Sequence, residues 1–90
     1  MVYRSVTLQA VKDRAVWKLP ELLQTLEVTP YRLHQCLEPI TGTSRTTIYR
    51  WAKELPDTLD VALLMAIIHV LRSETGQTIQ LHDILSYHAD

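Results

Sequence analysis

The chain has 90 residues, of which 47% are hydrophobic and 21% charged. This composition is typical of one small globular domain and argues against a disordered chain. The single cysteine cannot form an internal disulfide, so a disulfide-rich secreted scaffold is excluded and a cytoplasmic protein is expected. No apolar run is long enough to cross a membrane, and the early Arg4 argues against a signal peptide. We therefore expect no membrane partner.

The net charge of −1 conceals an uneven distribution of charges along the chain. Residues 1–53 carry eight basic and four acidic side chains, whereas residues 54–90 carry one basic and six acidic side chains. A basic half of this kind is typical of proteins that contact nucleic acid or another polyanion. The alternative is a dipolar surface without a binding role.

Residues 1–18 are predicted to be an N-terminal arm or extended segment. Residues 2–8 and 14–18 are rich in β-branched and aromatic side chains, which favours two short extended pieces that could pair with each other. The segment 1–18 carries a net charge of +3, so it is either an arm that contacts DNA or a strand used in dimerisation. Both alternatives remain open at this point.

Residues 19–87 are predicted to form one helical domain, followed by a tail at 88–90. Leucines at helical spacing indicate a first helix from Leu19 to about Glu27. A second helix is expected to begin at Thr29-Pro30, where a hydroxyl at the N-cap precedes a proline, and to end at Pro39. Residues 40–43 are predicted to be the following turn, with Gly42 at positive φ.

Three further helices complete the prediction. A third helix spans about 45–54, is capped by Thr43 or Ser44, and has Ile48 and Trp51 on its inner side. A fourth helix spans about 59–74, with a cap at Asp57 and a stop at Gly76. Because this helix is apolar nearly all round, we expect it to be buried on most sides. Aliphatic residues at 81, 84 and 85 indicate a short fifth helix, which makes the predicted fold an all-α, five-helix domain.

The outer face of the third helix is the candidate DNA-binding surface. Arginine can form a bidentate contact with a guanine edge, and threonine can touch a thymine methyl group or a phosphate. Hydroxyl groups and free amides at the start of a helix suit a backbone phosphate. An ordinary amphipathic surface helix with two arginines is the alternative. The predicted DNA-binding residues are Thr43, Ser44, Arg45, Thr46, Thr47, Tyr49, Arg50 and Lys53.

The segment Ser44-Arg45-Thr46-Thr47-Ile48-Tyr49-Arg50-Trp51-Ala52 resembles the recognition helix of the Xre-type, lambda-repressor-like (Cro/CI) helix-turn-helix regulators. Residues 29–33 resemble the start of that family's second helix, and residues 71–85 resemble the end of its small bacterial members. The resemblance covers 19–87 and implies a five-helix DNA-binding domain that acts as a transcriptional regulator, usually as a homodimer. By position, it implies that Arg45, Thr46, Tyr49 and Arg50 face the groove, that Ser44 and Lys53 face the backbone, and that Ile48 and Trp51 anchor the helix.

The chain departs from the family pattern between its second and third helices. His34 stands where the family usually has alanine, and the stretch from Leu33 to Ser44 is several residues longer than usual. We therefore expect a lengthened turn at residues 38–43.

The fourth helix has more apolar residues than a small core needs, so part of it is a candidate dimer interface. The alternative is that all of these residues are core. A further alternative for the whole protein is a protein–protein interaction module or an antitoxin-like partner binder on the same scaffold. The predicted interface residues are Leu63, Met65, Ile68, His69 and Arg72.

Neither catalysis nor metal binding is predicted. Cys36 and the four histidines lack the spacing of a zinc site, and the chain has no phosphate-binding loop, dinucleotide fingerprint or activated nucleophile motif. Cys36 is interpreted as a small, half-buried apolar residue, and His69 as a core or interface histidine. We expect no cofactor.

Overall fold

The computed structural model describes residues 14–88, most of which are helical. A mostly helical domain is confirmed, but five helices are not found, because the described residues form four helices and a two-stranded sheet. In chain order the elements are β1 (Ala15–Trp17), α1 (Leu19–Leu26), α2 (Pro30–Thr41), α3 (Arg45–Trp51), α4 (Val61–Thr75), a 3-10 turn (Leu81–Asp83) and β2 (Leu85–Tyr87).

The predicted fifth helix is replaced by the 3-10 turn and strand β2. The Asp83 carboxylate accepts a hydrogen bond from the Gln80 amide at 2.8 Å, as in the capping box of a helix start, but only three residues take a helical conformation. Strand β2 then pairs antiparallel with β1, so that Trp17 lies opposite Leu85. The sequence prediction was wrong here because backbone pairing with a distant strand outweighs the local helical spacing.

The extended segment predicted at residues 14–18 is confirmed for the three residues of β1. Its partner among the described residues is β2, and the Lys18 amide extends the contact by donating to the Ile84 carbonyl at 2.7 Å. These contacts join β1 to the helical domain that was predicted to begin at Leu19. The other predicted extended piece, 2–8, and most of the predicted arm lie outside the described residues.

Helix α2 was predicted to end at Pro39, but it continues to Thr41. Proline removes one backbone donor, yet the helix keeps its later bonds, since the Gly42 amide donates to the Glu38 carbonyl at 2.9 Å. Gly42 then takes the predicted positive φ, 68°, and ends the helix. The lengthened turn predicted at 38–43 is therefore wrong: α2 and α3 are joined by the three residues 42–44.

Local capping signals explain the other helix ends. Thr29 caps α2 and Ser44 caps α3, as the sequence predicts, and Gly76 ends α4 at φ 69°. Helix α4 begins later than expected, because its cap is Asp60 and not Asp57. The Asp60 carboxylate accepts a hydrogen bond from the Leu63 amide at 3.1 Å.

The core lies between α4 and the two helices that precede it. Five α4 residues are buried, and α2 and α3 each contribute two more. The prediction that α4 is buried on most sides is wrong, because one face is open: Val61 is 64% and Met65 is 47% exposed. None of the described helices has the length and apolar character that crossing a membrane requires. The buried hydrophobic residues are Leu19, Leu23, Leu33, Leu37, Ile48, Trp51, Leu63, Leu64, Ile67, Val70, Leu71, Ile79 and Ile84.

Candidate nucleic-acid interface

Helix α3 presents a polar and cationic face to solvent. Residues four positions apart lie on the same side of a helix, so the side chains form two neighbouring rows. Arg45 and Tyr49 form one row, and Thr46 and Arg50 form the other; all four are exposed. Lys53, also exposed, follows just beyond the end of the helix. The predicted third helix, about 45–54, ends earlier than expected, at Trp51, so four of the five residues predicted to share its outer face are on the helix and Lys53 is not.

The opposite side of α3 is fixed in the core. Ile48 is fully buried and Trp51 nearly so, and both belong to the core cluster. A helix of seven residues is too short to be stable alone, so this packing holds it in place. The outer side chains therefore project from an element whose position is set by its inner face.

The basic groups on this face are unpaired within the described part of the chain. No carboxylate from residues 14–88 lies within ion-pair distance of Arg45, Arg50 or Lys53. Arg32 of α2 is different, because its guanidinium contacts the Glu74 carboxylate at 3.1 and 3.3 Å. The α3 face thus carries three positive charges that are available to an external anion, although the exposed Glu54 follows directly after Lys53.

Three of the predicted site residues brace the start of α3. The Ser44 hydroxyl accepts a hydrogen bond from the Thr47 amide at 3.3 Å, and the two hydroxyl oxygens are 3.1 Å apart. The hydroxyl oxygens of Thr43 and Thr41 are 2.7 Å apart, and the Thr41 hydroxyl donates to the Leu37 carbonyl at 3.2 Å. The structure therefore divides the predicted set into hydroxyls that stabilise the turn and the five side chains that face solvent.

The end of α3 is held by a residue that sequence reasoning missed. Trp17 of β1 donates a hydrogen bond from Nε1 to the Trp51 carbonyl at 2.7 Å. The two indole rings are in edge-to-face contact, with centroids 5.7 Å apart and an interplanar angle of 79°. The last carbonyls of a helix lack helical partners, so this bond satisfies one of them. The available signal was a tryptophan in a short strand, whose N–H needs a partner when it is buried.

The predicted dimer residues do not form one continuous surface. Met65 and His69 are exposed, and Ile68 is partly buried against the core. The prediction that Leu63 contributes to a dimer interface is corrected, because its side chain is 3% exposed and belongs to the core. The Arg72 guanidinium is engaged within the chain, where its Nε donates to the Ile79 carbonyl at 2.7 Å. His69 is not a core histidine, since its side chain lies on the open face of α4.

The remaining candidate groups serve local contacts. The half-buried Cys36 thiol donates to a Glu74 carboxylate oxygen at 3.2 Å. Burial, followed by this hydrogen bond, raises the pKa of the Cys36 thiol, so the unreactive protonated form is favoured. His34 and His82 lie 3.7 Å from the carboxylates of Glu38 and Asp83, respectively. Within residues 14–88, no cluster of three or more histidine, cysteine or carboxylate side chains has an arrangement that could hold a metal ion.

Comparisons with protein-family models, curated proteins and solved structures found no match for this chain. The resemblance to the Xre-type regulators therefore stays a prediction from the residues quoted above. The described residues themselves establish a mostly helical fold in which α3 presents an unpaired cationic face. The inner side of this helix is buried in the core, and hydrogen bonds hold both of its ends.

Proposed function

We propose that the chain is a sequence-specific regulator that binds double-stranded DNA through the outer face of α3. The observation that carries this proposal is the set of three unpaired basic side chains on and directly after a helix whose inner side is fixed in the core: Arg45, Arg50 and Lys53. A bound DNA would supply the anions that the described part of the chain does not. Binding to DNA would also agree with the expected cytoplasmic location.

The connection between α2 and α3 supports a helix-turn-helix arrangement. Such motifs join two helices by three or four residues that often include glycine, and the second helix enters the major groove. Here the connection has three residues and begins with Gly42. An α-helix with its side chains is about 10–12 Å in diameter, which suits a major groove about 12 Å wide.

The two rows on α3 suit different contacts with DNA. Arg45 and Arg50 would each offer a bidentate pair of donors to a guanine edge. Thr46 and Tyr49 stand beside them and would contact a thymine methyl group or a phosphate. Lys53, at the end of the helix, would contact the backbone. The hydroxyls of residues 43, 44 and 47 would act indirectly, because they hold the start of α3.

We place a homodimer contact on the open face of α4. Val61 and Met65 are large apolar side chains that stay exposed there, next to His69. A second copy that covers this face by two-fold symmetry would remove both side chains from water. Two α3 helices related in this way would read half-sites about 34 Å apart on one side of the duplex.

The same open face favours one alternative function, a protein–protein interaction module of the antitoxin-like kind. In that case a different protein, and not a second copy, would cover Val61 and Met65. The acidic excess of residues 54–90 would favour a basic partner. The two functions are compatible, since a chain could bind DNA through α3 and a protein through α4.

The experiment that tests DNA binding is selection of bound sequences from random duplexes with the purified 90-residue chain. We expect an enriched motif, which is then titrated by fluorescence anisotropy. Arg50→Ala should weaken binding by about 1–3 kcal/mol and relax the preference at one base position, because it removes a bidentate contact. A failure to enrich any sequence, or equal affinity for all duplexes, would contradict the proposal.

Arg32→Gln is the matched control for this measurement. It removes the same charge, but from a guanidinium whose charge is already compensated by Glu74. We expect it to change the affinity far less than Arg50→Ala. Affinity should also fall with salt, by about 3- to 4-fold per protomer between about 50 and about 200 mM for the phosphate contact of Lys53 alone, and by about 40-fold if both arginines also contact phosphates.

The oligomeric state separates the homodimer from the alternative. Light scattering of the purified chain should give a dimer mass, and Met65→Lys should give a monomer that remains folded by circular dichroism. A monomeric wild-type chain that copurifies with one basic protein in equal amounts would favour the interaction module instead.

A further inference from the structure

A cavity lies where α1 ends, α2 begins and α3 ends. Its volume is about 490 Å³, within the range of sites that bind small molecules. Its apolar walls come from α1, the start of α2, the connection between them and the residue that follows α3, and they include Leu23, Val28, Pro30 and Ala52. The cavity is therefore large and apolar enough to take the body of a small organic molecule.

The polar part of the lining carries a negative charge. Gln24 and Glu27 lie on the α1 side of the cavity, and among the described residues that line it there is no basic side chain. Within residues 14–88, no basic group is within ion-pair distance of the Glu27 carboxylate. A ligand that fits this lining would combine an apolar body with a positive charge.

The backbone at Glu27 explains how a charged residue comes to line the cavity. Of the described residues with left-handed φ, two are the glycines that end α2 and α4, Gly42 and Gly76, and the third is Glu27, with φ 58°, at the end of α1. Glycine takes this conformation without strain, whereas a residue with a side chain does not. The left-handed conformation ends α1, since the Glu27 amide turns back to the Leu23 and Gln24 carbonyls, and it leaves Glu27 in the cavity lining. At Glu27 the strained position is occupied by the one charged side chain of the cavity lining.

We propose that this cavity binds a small organic ammonium compound, with its apolar body against Leu23, Val28 and Ala52 and its charged group beside the Glu27 carboxylate. None of the residues on which the proposed DNA contact rests lines the cavity. The two proposals therefore stand or fall separately.

The test uses two probes of the same shape, phenethylammonium and the neutral phenethyl alcohol. Each is titrated into the isotopically labelled 90-residue chain while amide chemical shifts are followed by NMR. We expect saturable shifts at the amides of Leu23, Val28 and Ala52, with the cation binding about three to five times more tightly than the alcohol. Raising the salt concentration should reduce this difference.

Two variants provide the matched comparison, one at Glu27, directly after α1, and one at Glu21, within α1; both carboxylates are exposed. Glu27→Gln keeps the shape of the side chain and should bring the ratio of the two affinities close to one. Glu21→Gln removes an equivalent charge from a residue outside the cavity lining, and it should leave the ratio unchanged. Glu27→Gly should also abolish the preference for the cation while raising the melting temperature, because glycine relieves the strain at this position.

Two results would overturn the proposal, and both are read from the wild-type chain without any variant. One is the absence of saturable shifts at the cavity amides with either probe. The other is equal binding of the cation and the alcohol, which would show that the carboxylate does not select the ligand.

Discussion

The two ends of α3 are held by different kinds of contact. At its start, hydroxyls from the helix itself and from the preceding turn bond groups within four residues of each other. At its end, an indole from β1, 34 residues earlier in the chain, bonds the Trp51 carbonyl. The first contact forms whenever the local chain turns correctly, whereas the second requires the whole domain to be folded. The outer face of α3 therefore depends on both local sequence and distant packing.

The largest expected effect is at the distant contact. Trp17→Ala removes the hydrogen bond and the ring contact with Trp51, and we expect it to lower the free energy of unfolding by about 3 kcal/mol. Trp17→Phe keeps a ring and removes the donor, so its cost should be about 1 kcal/mol. Urea unfolding followed by circular dichroism gives both values.

The location of the damage sharpens this prediction. In Trp17→Phe, hydrogen exchange should accelerate at the amides of residues 51–54 more than at residues 47 and 48. Uniform acceleration throughout α3 would mean that Trp17 stabilises the domain in general and does not specifically hold the end of the helix.

A smaller effect is expected at the local contact. Ser44→Ala removes the N-cap of α3 and should cost about 1 kcal/mol, with faster exchange at the Thr47 amide, whose acceptor is lost. Thr29→Ala is the matched control, since it removes the equivalent cap of α2, where the hydroxyl accepts from the Arg32 amide at 3.1 Å. The control should have a similar cost and leave the α3 amides unchanged. Equal exchange at Thr47 in the two variants would contradict the local character of the contact.

The smallest effect is expected at Glu74, whose contacts with Arg32 and Cys36 join distant parts of the chain but are exposed. The Cys36 thiol, followed by Arg32, lowers the pKa of the Glu74 carboxyl below its ordinary value of 4.5. A carboxyl with a lowered pKa in the folded state stabilises the fold above that value, and this contribution is lost as the pH falls through the folded-state pKa. We therefore expect Glu74→Gln to unfold slightly more easily at neutral pH and to lose less stability than the wild type on acidification.

Urea unfolding midpoints, measured from neutral pH to below pH 4.5, provide this measurement. Glu21→Gln, at an exposed carboxyl without these neighbours, should follow the wild-type curve. A Glu74→Gln curve as steep as that of the wild type would remove the assigned role of Glu74. The expected small effect of Glu74→Gln, set beside the large effect of Trp17→Ala, would show that burial, and not distance along the chain, decides how much such a contact stabilises.

Local signals explain which parts of the fold were predictable. The cap at Thr29, the positive φ at Gly42 and the stop at Gly76 each depend on one or two residues, and the structure has all three where the sequence places them. Ser44 is the cap of α3, one of the two residues that the sequence offered. Pro39 misled the prediction because a proline near the end of a helix removes one bond without preventing the next turn.

The errors arose where distant contacts decide the conformation. Leu81, Ile84 and Leu85 have helical spacing in the sequence, but residues 85–87 form a strand, because β1 supplies a partner about 70 residues earlier. The open face of α4 was also unpredictable, since counting apolar residues does not reveal which of them a neighbouring helix covers. The outer residues of α3 were predictable because Ile48 and Trp51 mark the inner side of that helix.

The contact that ends α3 has a practical consequence. The chain has two tryptophans, Trp17 and Trp51, and both are in this one contact. Its tryptophan fluorescence, excited selectively over that of the four tyrosines, therefore comes from an indole pair located directly behind the cationic face. Any event that loosens or tightens the end of α3 should change the emission of the unlabelled protein, so the chain carries its own optical reporter at the position where a report on DNA binding is most useful.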